Sequence, residues 1–578
     1  MKKKKIPLGK YGKKHAGRLT FAVFSMVVAI VLDMIYPMIT KQIIDDVIGK
    51  GKMELLTGLL ISIAIVGVGK GLFSYLKEYS FDCAGCEAGS DVRKNLFRHI
   101  QGLSMDYFNK TNTGELMARV KDDADRIWDA FGMVGMLTLE IIIHVSLVLF
   151  FMFKLNVKLA FFPLIVMIVL GVLAVIMERR LDKVFEKISE KNAEMTTVAE
   201  ENLSGVRTVK AFTKENFEIS KFKKKNDEYY DLNMELTKID VRFYPFFQFA
   251  GKLLPVAVII LGGILLIKGE MTLGSLVAFV EYSRNCVWPM ELLGEMANEI
   301  SAISASYKKI NKIYGEISSV QEKEDAISLD EVKGEIEFNH VSFEREGKKI
   351  LEDISFCVPA GKSLGIMGET GSGKSSIINL MERFFDVSEG TVKIDGYDVR
   401  DLSLNQVRSS MTTVMQDVFL FSDTVKENIS MGERETMEIE EVTQAARLAQ
   451  AHDFIVEMEN EYSTVIGERG VGMSGGQKQR ISIARTFAKP APILVMDDST
   501  SALDMETESE IQKALKEVSG KTKVIIAHRI SAVRHADEIL ILEAGKIAER
   551  GTHEELIAQK GLYYETYMAQ YGAFMEVS

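Results

Sequence analysis

Apolar residues gather in long runs over the first three hundred positions of the chain and break into short alternating blocks after about position 320. The runs at Leu19–Thr40, Leu55–Tyr75, Phe131–Phe153, Val157–Met177 and Phe243–Ile267 approach the ~20 residues that carry a helix across a bilayer. A further run, Leu273–Met290, is interrupted by Glu281 and Arg284. Hydropathy alone therefore supports five spans, with this run as a weaker sixth. An even number is required if both ends of the chain lie on one side. Between the second and third spans, and between the fourth and fifth, lie stretches of roughly 55 to 65 residues rich in Lys, Glu, Asp and Arg, with helical periodicity and little Pro or Gly. This pattern predicts long helices that continue out of the membrane. Residues 315–333, "GEISSVQEKEDAISLDEVK", are polar and acidic and read as a linker; "GEIEFNHVSFE" then alternates like a strand, and mixed strand and helix signals run to the end.

With 578 residues the chain is too long for one compact domain. Its mean hydropathy of +0.07 is the average of a membrane half and a soluble half. The net charge of −11 and the lack of a dominant basic face in the soluble half exclude a nucleic-acid binder. Positive charge is gathered instead before the first apolar run, at Lys2, Lys3, Lys4, Lys5, Lys10, Lys13, Lys14 and Arg18, which places the N-terminus in the cytoplasm. No A-x-A-like cleavage site follows, so the first span is expected to be retained. Of the four cysteines, Cys83 and Cys86 form a lone "CAGC"; without a second pair this reads either as two small residues on one helix face or as a weak metal or redox signal. So few cysteines suit a reducing compartment without a disulfide framework.

The chemistry lies in the soluble half. "GETGSGKSS" supplies Gly368, Glu369, Thr370, Gly371, Ser372, Gly373, Lys374, Ser375 and Ser376 between an apolar strand, "SLGIM", and an apolar helix, "SIINLMERFF". That is the context a phosphate-binding loop needs. Its glycines let backbone N–H groups wrap a phosphate chain and the helix N-terminus adds a favourable dipole. Lys374 is then placed for the β- and γ-phosphates of a nucleotide and Ser375 for Mg²⁺. A second glycine-rich helix start, Ser474, Gly475, Gly476 and Gln477, lies some 20 residues before the strand Ile493–Met496, which ends in Asp497, a candidate Mg²⁺ ligand.

Taken in order, the P-loop, Gln416 in "VMQDVFLF", "MSGGQ", Asp497, "SALD" and His528 in "IIAHR" resemble the ATP-binding-cassette domain, and with the membrane half in front the chain resembles an exporter-type half-transporter over nearly all of its length. The resemblance implies a multidomain fold: an all-α six-helix transmembrane domain (1–314), a linker (315–334) and an α/β P-loop nucleotide-binding domain (335–578). It implies ATP and Mg²⁺ as cofactors, with Ser375, Gln416 and Asp497 as metal contacts. It also implies that Gln416 senses the γ-phosphate, that His528 holds it, and that Asp504 belongs to a loop crossing between two cassettes. Such cassettes pair head to tail, each ATP lying between one chain's P-loop and the other chain's "SGGQ". "YFNKTNTGELMARVKDDADRI" from Tyr107 and "ENLSGVRTVKAF" from Glu201 are similar to the family's two intracellular coupling segments.

Two positions depart from the family's pattern. Arg345 in "VSFER" stands where an aromatic usually stacks on adenine; a guanidinium also stacks on a π-face, and a simple exposed arginine is the alternative. Asp498 stands where a glutamate handles the attacking water, and its carboxylate ends ~1.5 Å short, one carbon–carbon bond. The alternative there is an aspartate that works through a bridging water. The departure at Asp498 resembles the degenerate-site subunit of heterodimeric multidrug exporters.

In the membrane half, Asp33, Lys70, Glu140, His144, Lys252, Glu281 and Arg284 lie in or near the spans, where ionisable groups tend to face a bundle interior or a wet cavity. "FYPFFQF", Phe243–Phe249, reads either as a lining for large apolar ligands, with Glu281 or Glu140 favouring cations, or as lipid-facing aromatics beside charge pairs such as Lys252 with Glu281. The expected function is ATP-driven export of an amphipathic compound, drug or lipid, across the cytoplasmic membrane, with both termini cytoplasmic and a second half-transporter as partner. The other classes are an ATP-gated channel or regulator, and a peptide or siderophore transporter of the same architecture.

Overall fold

A computed structural model describes residues 8–433, 436–498, 503–518 and 520–575. Lys2 to Lys5 of the basic cluster and Ser501 and Ala502 of "SALD" lie outside the described residues. The chain divides into two compact units, Met1–Gly102 with Thr111–Ile317, and Leu103–Lys110 with Ser318–Ser578.

The first unit is helical. Among the described residues, five segments are long and apolar enough to cross a membrane: Ala16–Ile48, Glu54–Gln101, Thr113–Leu155, Val157–Ser204 and Glu215–Ile267. Three of them are continuous helices of 48, 48 and 53 residues. At 1.5 Å per residue a 48-residue helix is about 70 Å long, over twice a ~30 Å hydrocarbon core. The charged stretches therefore carry these helices on past their apolar runs. Where Glu54–Gln101 meets the helix Ala124–Phe131, Gly85 and Gly89 open a slot for Trp128; a Cβ on Gly85 would stand 2.5 Å from the indole Cδ1.

The weaker sixth run behaves differently. It forms two helices, Leu273–Asn285 and Val287–Tyr314, parted at Cys286. The first is too short and too polar to count as a span by composition, yet Phe279 and Tyr282 are fully buried. The Tyr282 hydroxyl donates to the Met34 carbonyl at 2.5 Å. Glycines on the preceding helix make room: a Cβ on Gly262 would stand 2.4 Å from Leu276 Cδ1, and one on Gly251 2.5 Å from Val287 Cγ1. A helix surrounded by protein need not present an apolar face to lipid, which is why hydropathy registers it weakly. Ionisable groups in this unit pair up. Lys77, buried, donates to both Glu140 oxygens at 3.0 and 2.9 Å, and Lys70 bonds Asp33. Glu281 faces Arg284 at 3.6 Å, rather than Lys252. Glu140 is thus engaged by its own lysine and is not a free carboxylate for a cationic cargo. Phe246 and Phe249 are exposed.

The second unit is α/β, with ten strands among the described residues: β1 Ile336–Arg345, β2 Lys348–Val358, β3 Ser363–Gly368, β4 Glu389–Ile394, β5 Tyr397–Asp398, β6 Met411–Val414, β7 Ile493–Asp497, β8 Thr522–Ile526, β9 Glu538–Glu543 and β10 Lys546–Gly551. A four-stranded antiparallel sheet runs β2-β1-β4-β5, and a six-stranded sheet β10-β9-β3-β8-β7-β6. Within the second, β9 through β6 are parallel and β10 is an antiparallel edge. The parallel strands are near-continuous apolar runs, such as "ILVMD" and "EILILE", as strands covered on both faces must be. One ladder row reads Val414, Met496, Ile525, Gly365 across β6, β7, β8 and β3. Gln416, Asp498, His528 and Gly368 stand two or three residues beyond that row, so the ladder alone brings four distant motifs to one edge.

Residues 318–334 lie along this unit without regular structure. Ile327 exchanges backbone bonds with Asp401 and Ser403 at 2.8 and 2.9 Å, and Leu329 and Val332 pack on the core. Their end is held by Asp395 in the Asp-Gly turn between β4 and β5. Its carboxylate accepts from the Lys333, Gly334 and Glu335 amides at 2.7, 3.0 and 2.8 Å. Asp395 (φ 50°) and Gly396 (φ 82°) both take positive φ, the conformation that Asp-Gly hairpin turns favour. Asp395→Ala should lower the stability of this unit by about 2 kcal/mol, since hydrogen bonds to a charged acceptor are worth ~1.5–3 kcal/mol, with Asp395→Asn in between. Thermal unfolding of the full-length protein in detergent checks this; an unchanged transition for the alanine variant would show that the turn does not hold the segment.

Candidate nucleotide site

The loop leaving β3 runs Gly368, Glu369, Thr370, Gly371, Ser372, Gly373 and enters the helix Lys374–Met381. Gly373 caps that helix at φ 103°, and a Cβ there would stand 2.6 Å from Leu351 Cδ2, so no other residue fits without strain. The Lys374 ammonium is buried and donates to the carbonyls of Gly368 and Glu369, both at 2.8 Å, closing the loop into a ring. Burial pushes its pKa down, and the carboxylates of Asp497 and Asp498 oppose that shift. The Ser372 hydroxyl is buried with no hydrogen-bond partner among the described residues. A buried cation held by two carbonyls, an orphaned hydroxyl and a helix N-terminus in one loop form a donor set that suits a phosphate chain.

Beside this loop is a cavity of about 390 Å³. Thr370, Gly371, Gly373, Lys374, Ser375 and Ser376 line one side, and Gln416, Asp497, Asp498 and His528 the other. Burial pushes the Asp497 carboxyl up in pKa, and a hydrogen bond from the Ser375 hydroxyl works against it. Ser375, Gln416 and Asp497 thus bring three oxygen-bearing side chains into one cavity, which suits a hard cation that keeps several waters and binds phosphate oxygens. Asp498 sits at φ 43°, with its amide donating to the Ile526 carbonyl at 2.9 Å. Aspartate is among the few non-glycine residues that enter this left-handed region readily.

Ser474, Gly475, Gly476 and Gln477 are elsewhere. Ser474 caps the helix Gly475–Ala488 in a reciprocal box: its hydroxyl accepts from the Gln477 amide at 3.2 Å, and Gln477 Oε1 accepts from the Ser474 amide at 3.0 Å. Ser474 and Gly475 are exposed, and none of the four lines the P-loop cavity. Asp504 caps the helix Met505–Glu517 by accepting from the Thr507 amide at 2.9 Å, and this bond holds its pKa down. Arg345 also lies outside the cavity. Its guanidinium rests on the Phe385 ring at 4.9 Å and its Nε is 3.4 Å from Asp106, so only the opposite face is left for a base. Two residues near the site carried no motif. Ile350 of β2 lines the cavity, and Gln570, from the helix Leu562–Met575, donates to the His528 carbonyl.

Comparison with known proteins agrees with this architecture. Residues 19–290 match the family model for the ABC transporter transmembrane region, and residues 351–501 the model for the ABC transporter itself. The chain is 36% identical to the uncharacterized ABC transporter ATP-binding protein YknU of Bacillus subtilis, covering 95% of this chain and 94% of that one. It is 32% identical to the putative multidrug export ATP-binding/permease protein YgaD of the same organism (96% and 98% covered) and 33% identical to the ATP-dependent lipid A-core flippase of Syntrophus aciditrophicus (97% and 94%). Among solved structures, a bacterial Atm1-family ABC exporter with ATP bound superposes with a TM-score of 0.82 at 28% identity, covering 96% of this chain and 99% of that one.

Lys374→Ala should weaken nucleotide binding at this loop by ~1.5–3 kcal/mol, on the order of 10- to 100-fold, the worth of a hydrogen bond to a charged group. Gly373→Ala should do at least as much damage by driving a methyl into Leu351. Photolabelling of this chain with an azido-ATP, competed by unlabelled ATP, reads both. Wild-type affinity in the lysine variant would remove Lys374 from the site.

Proposed function

The chain belongs to the ABC transporter family, and on that premise we propose that it is one half of a heterodimeric exporter that uses ATP to move an amphipathic compound, of the drug or lipid class, across the cell membrane. The names of its relatives, a multidrug exporter and a lipid flippase, support that cargo class. The observation that carries the pairing is the separation of the two phosphate-binding loops. The P-loop cavity contains Asp498 and none of Ser474–Gln477, while that second helix start is intact and exposed. A second chain has to bring its own glycine-rich helix start to this cavity, and receives this chain's in return.

The two sites so formed are unequal. The Asp498 carboxylate stops ~1.5 Å short of a glutamate's reach, and misplacing a catalytic group by ~1 Å costs on the order of 100-fold. This chain's own site is therefore slow or non-hydrolysing, and its Ser474–Gln477 completes a fast site on a partner that carries glutamate. Within this chain's site, Lys374 neutralises the β- and γ-phosphates, while Gln416 and His528 meet the γ-phosphate. Arg345 offers its free face to adenine. Ser375, Gln416 and Asp497 would hold Mg²⁺, which would spread the phosphate charge when bound. ATP closes the two cassettes, and the helical units respond by exchanging inward for outward access. Both termini lie in the cytoplasm, Leu273–Asn285 completes an even count of spans, and the domains divide as 1–314, 315–334 and 335–578.

Steady-state ATPase of the purified complex tests the asymmetry. Asp498→Asn should change turnover less than about twofold, because little hydrolysis depends on it. Gly475→Glu should reduce turnover by ~100-fold or more, because a carboxylate placed against a γ-phosphate repels it. A complex in which Asp498→Asn alone abolishes activity, or a fast ATPase formed by this chain alone, rules the unequal pair out.

A further inference from the structure

We propose that Gln570 is a positioning residue for His528, acting from the C-terminal helix through the backbone on both sides of that histidine. Gln570 Nε2 donates to the His528 carbonyl at 2.8 Å, and Gln570 Oε1 accepts from the Ile530 amide at 3.0 Å. One side-chain amide thereby satisfies two groups that β8 and the following short helix, Ile530–Val533, leave outside their own ladders. Only an amide does both. A glutamate at 570 would keep the bond from Ile530 but set a carboxylate against the His528 carbonyl.

The helix that delivers Gln570 is itself fixed. Tyr563 is fully buried in the cluster that holds Ile525, Ala527, Ile530 and Val533, and its hydroxyl is 2.7 Å from His553 Nδ1. The Leu562 and Tyr563 amides donate to the Glu549 carboxylate at 2.5 and 3.1 Å. From the other side, buried Glu508 accepts from Arg529 Nη1 at 2.7 Å and from the Ser531 hydroxyl at 3.1 Å. The loop His528–Ser531 is thus gripped on alternate residues by two helices. Gln570 is exposed, so its two bonds add little to global stability. An imidazole that has to meet a phosphate oxygen tolerates little displacement, so the effect of Gln570 is concentrated in that contact.

The inference rests on the reading of His528 as a γ-phosphate contact, and the experiment separates the two. In the full-length complex, azido-ATP labelling of this chain is competed by ATP and by ADP, which lacks the γ-phosphate, and the ratio of the two affinities is taken. His528→Ala should cut the preference for ATP about tenfold. Gln570→Ala and Gln570→Glu should each cut it roughly threefold, with ADP affinity unchanged. His528→Ala/Gln570→Ala should fall no further than His528→Ala alone, because Gln570 acts through the histidine. If His528→Ala leaves the ratio intact, the phosphate role of His528 fails and the positioning role with it. A ratio lowered by His528→Ala but intact in both Gln570 variants overturns the positioning role alone, as does a double variant that falls further or a joint loss of ATP and ADP affinity.

Discussion

The parallel ladder β3-β8-β7-β6 is the constraint on which the chemistry of this protein depends. Its hydrogen bonds fix one row, Gly365, Ile525, Met496 and Val414, and every functional loop of the cavity starts a few residues beyond that row. A slip of one residue in any pairing would turn that strand's side chains to the opposite face and displace its loop by about 3.3 Å. The solid apolar character of the strands resists such a slip only in part, since both faces are buried. The register is secured at the ends instead, where Asp498 donates to Ile526 and Ala527 to Ile366 across neighbouring strands. Strand pairing and site geometry are in this sense one set of bonds.

Much of this was legible in the sequence because it rests on local pattern. The apolar runs mark the long helices, and the P-loop declares itself through a strand, glycines and a helix within Ser363–Met381. Features set by distant neighbours were not legible. Arg345 is visible as an unusual residue, but nothing in "VSFER" reveals Phe385 beneath its guanidinium. Glu140 reads as a solitary intramembrane acid until Lys77, 63 positions earlier, is seen to hold both its oxygens. Gln570 lies in a helix without any motif, and its role depends on how Tyr563 seats that helix. Ile350 is one apolar residue after "EGKK" and becomes part of the cavity only through the sheet.

Asp498 links local conformation to the larger assembly. Its positive φ is a conformation that aspartate takes more easily than most side chains, so the shorter acid relieves backbone strain at the point where it gives up reach. In the proposed heterodimer, an unequal pair of sites tolerates that exchange at one of them. The capping box at Ser474–Gln477 has the opposite character: it is locally self-sufficient, held by its own reciprocal bonds and presented outward. In the proposed pairing, one chain thus combines a rigid donor surface with a receptor site whose acid is short.

The helix Leu273–Asn285 owes its place to its neighbours rather than to its own apolarity. Glu281 and Arg284 would each weigh against spontaneous partition of this segment, by up to ~2.5–3.5 kcal/mol at a bilayer centre. Its stability comes from Phe279 and Tyr282 sunk among its neighbours, with the tyrosine tied to Met34 on the first long helix. The segment therefore depends on the helices around it, and a bulkier residue at Gly262 would unseat it by crowding Leu276.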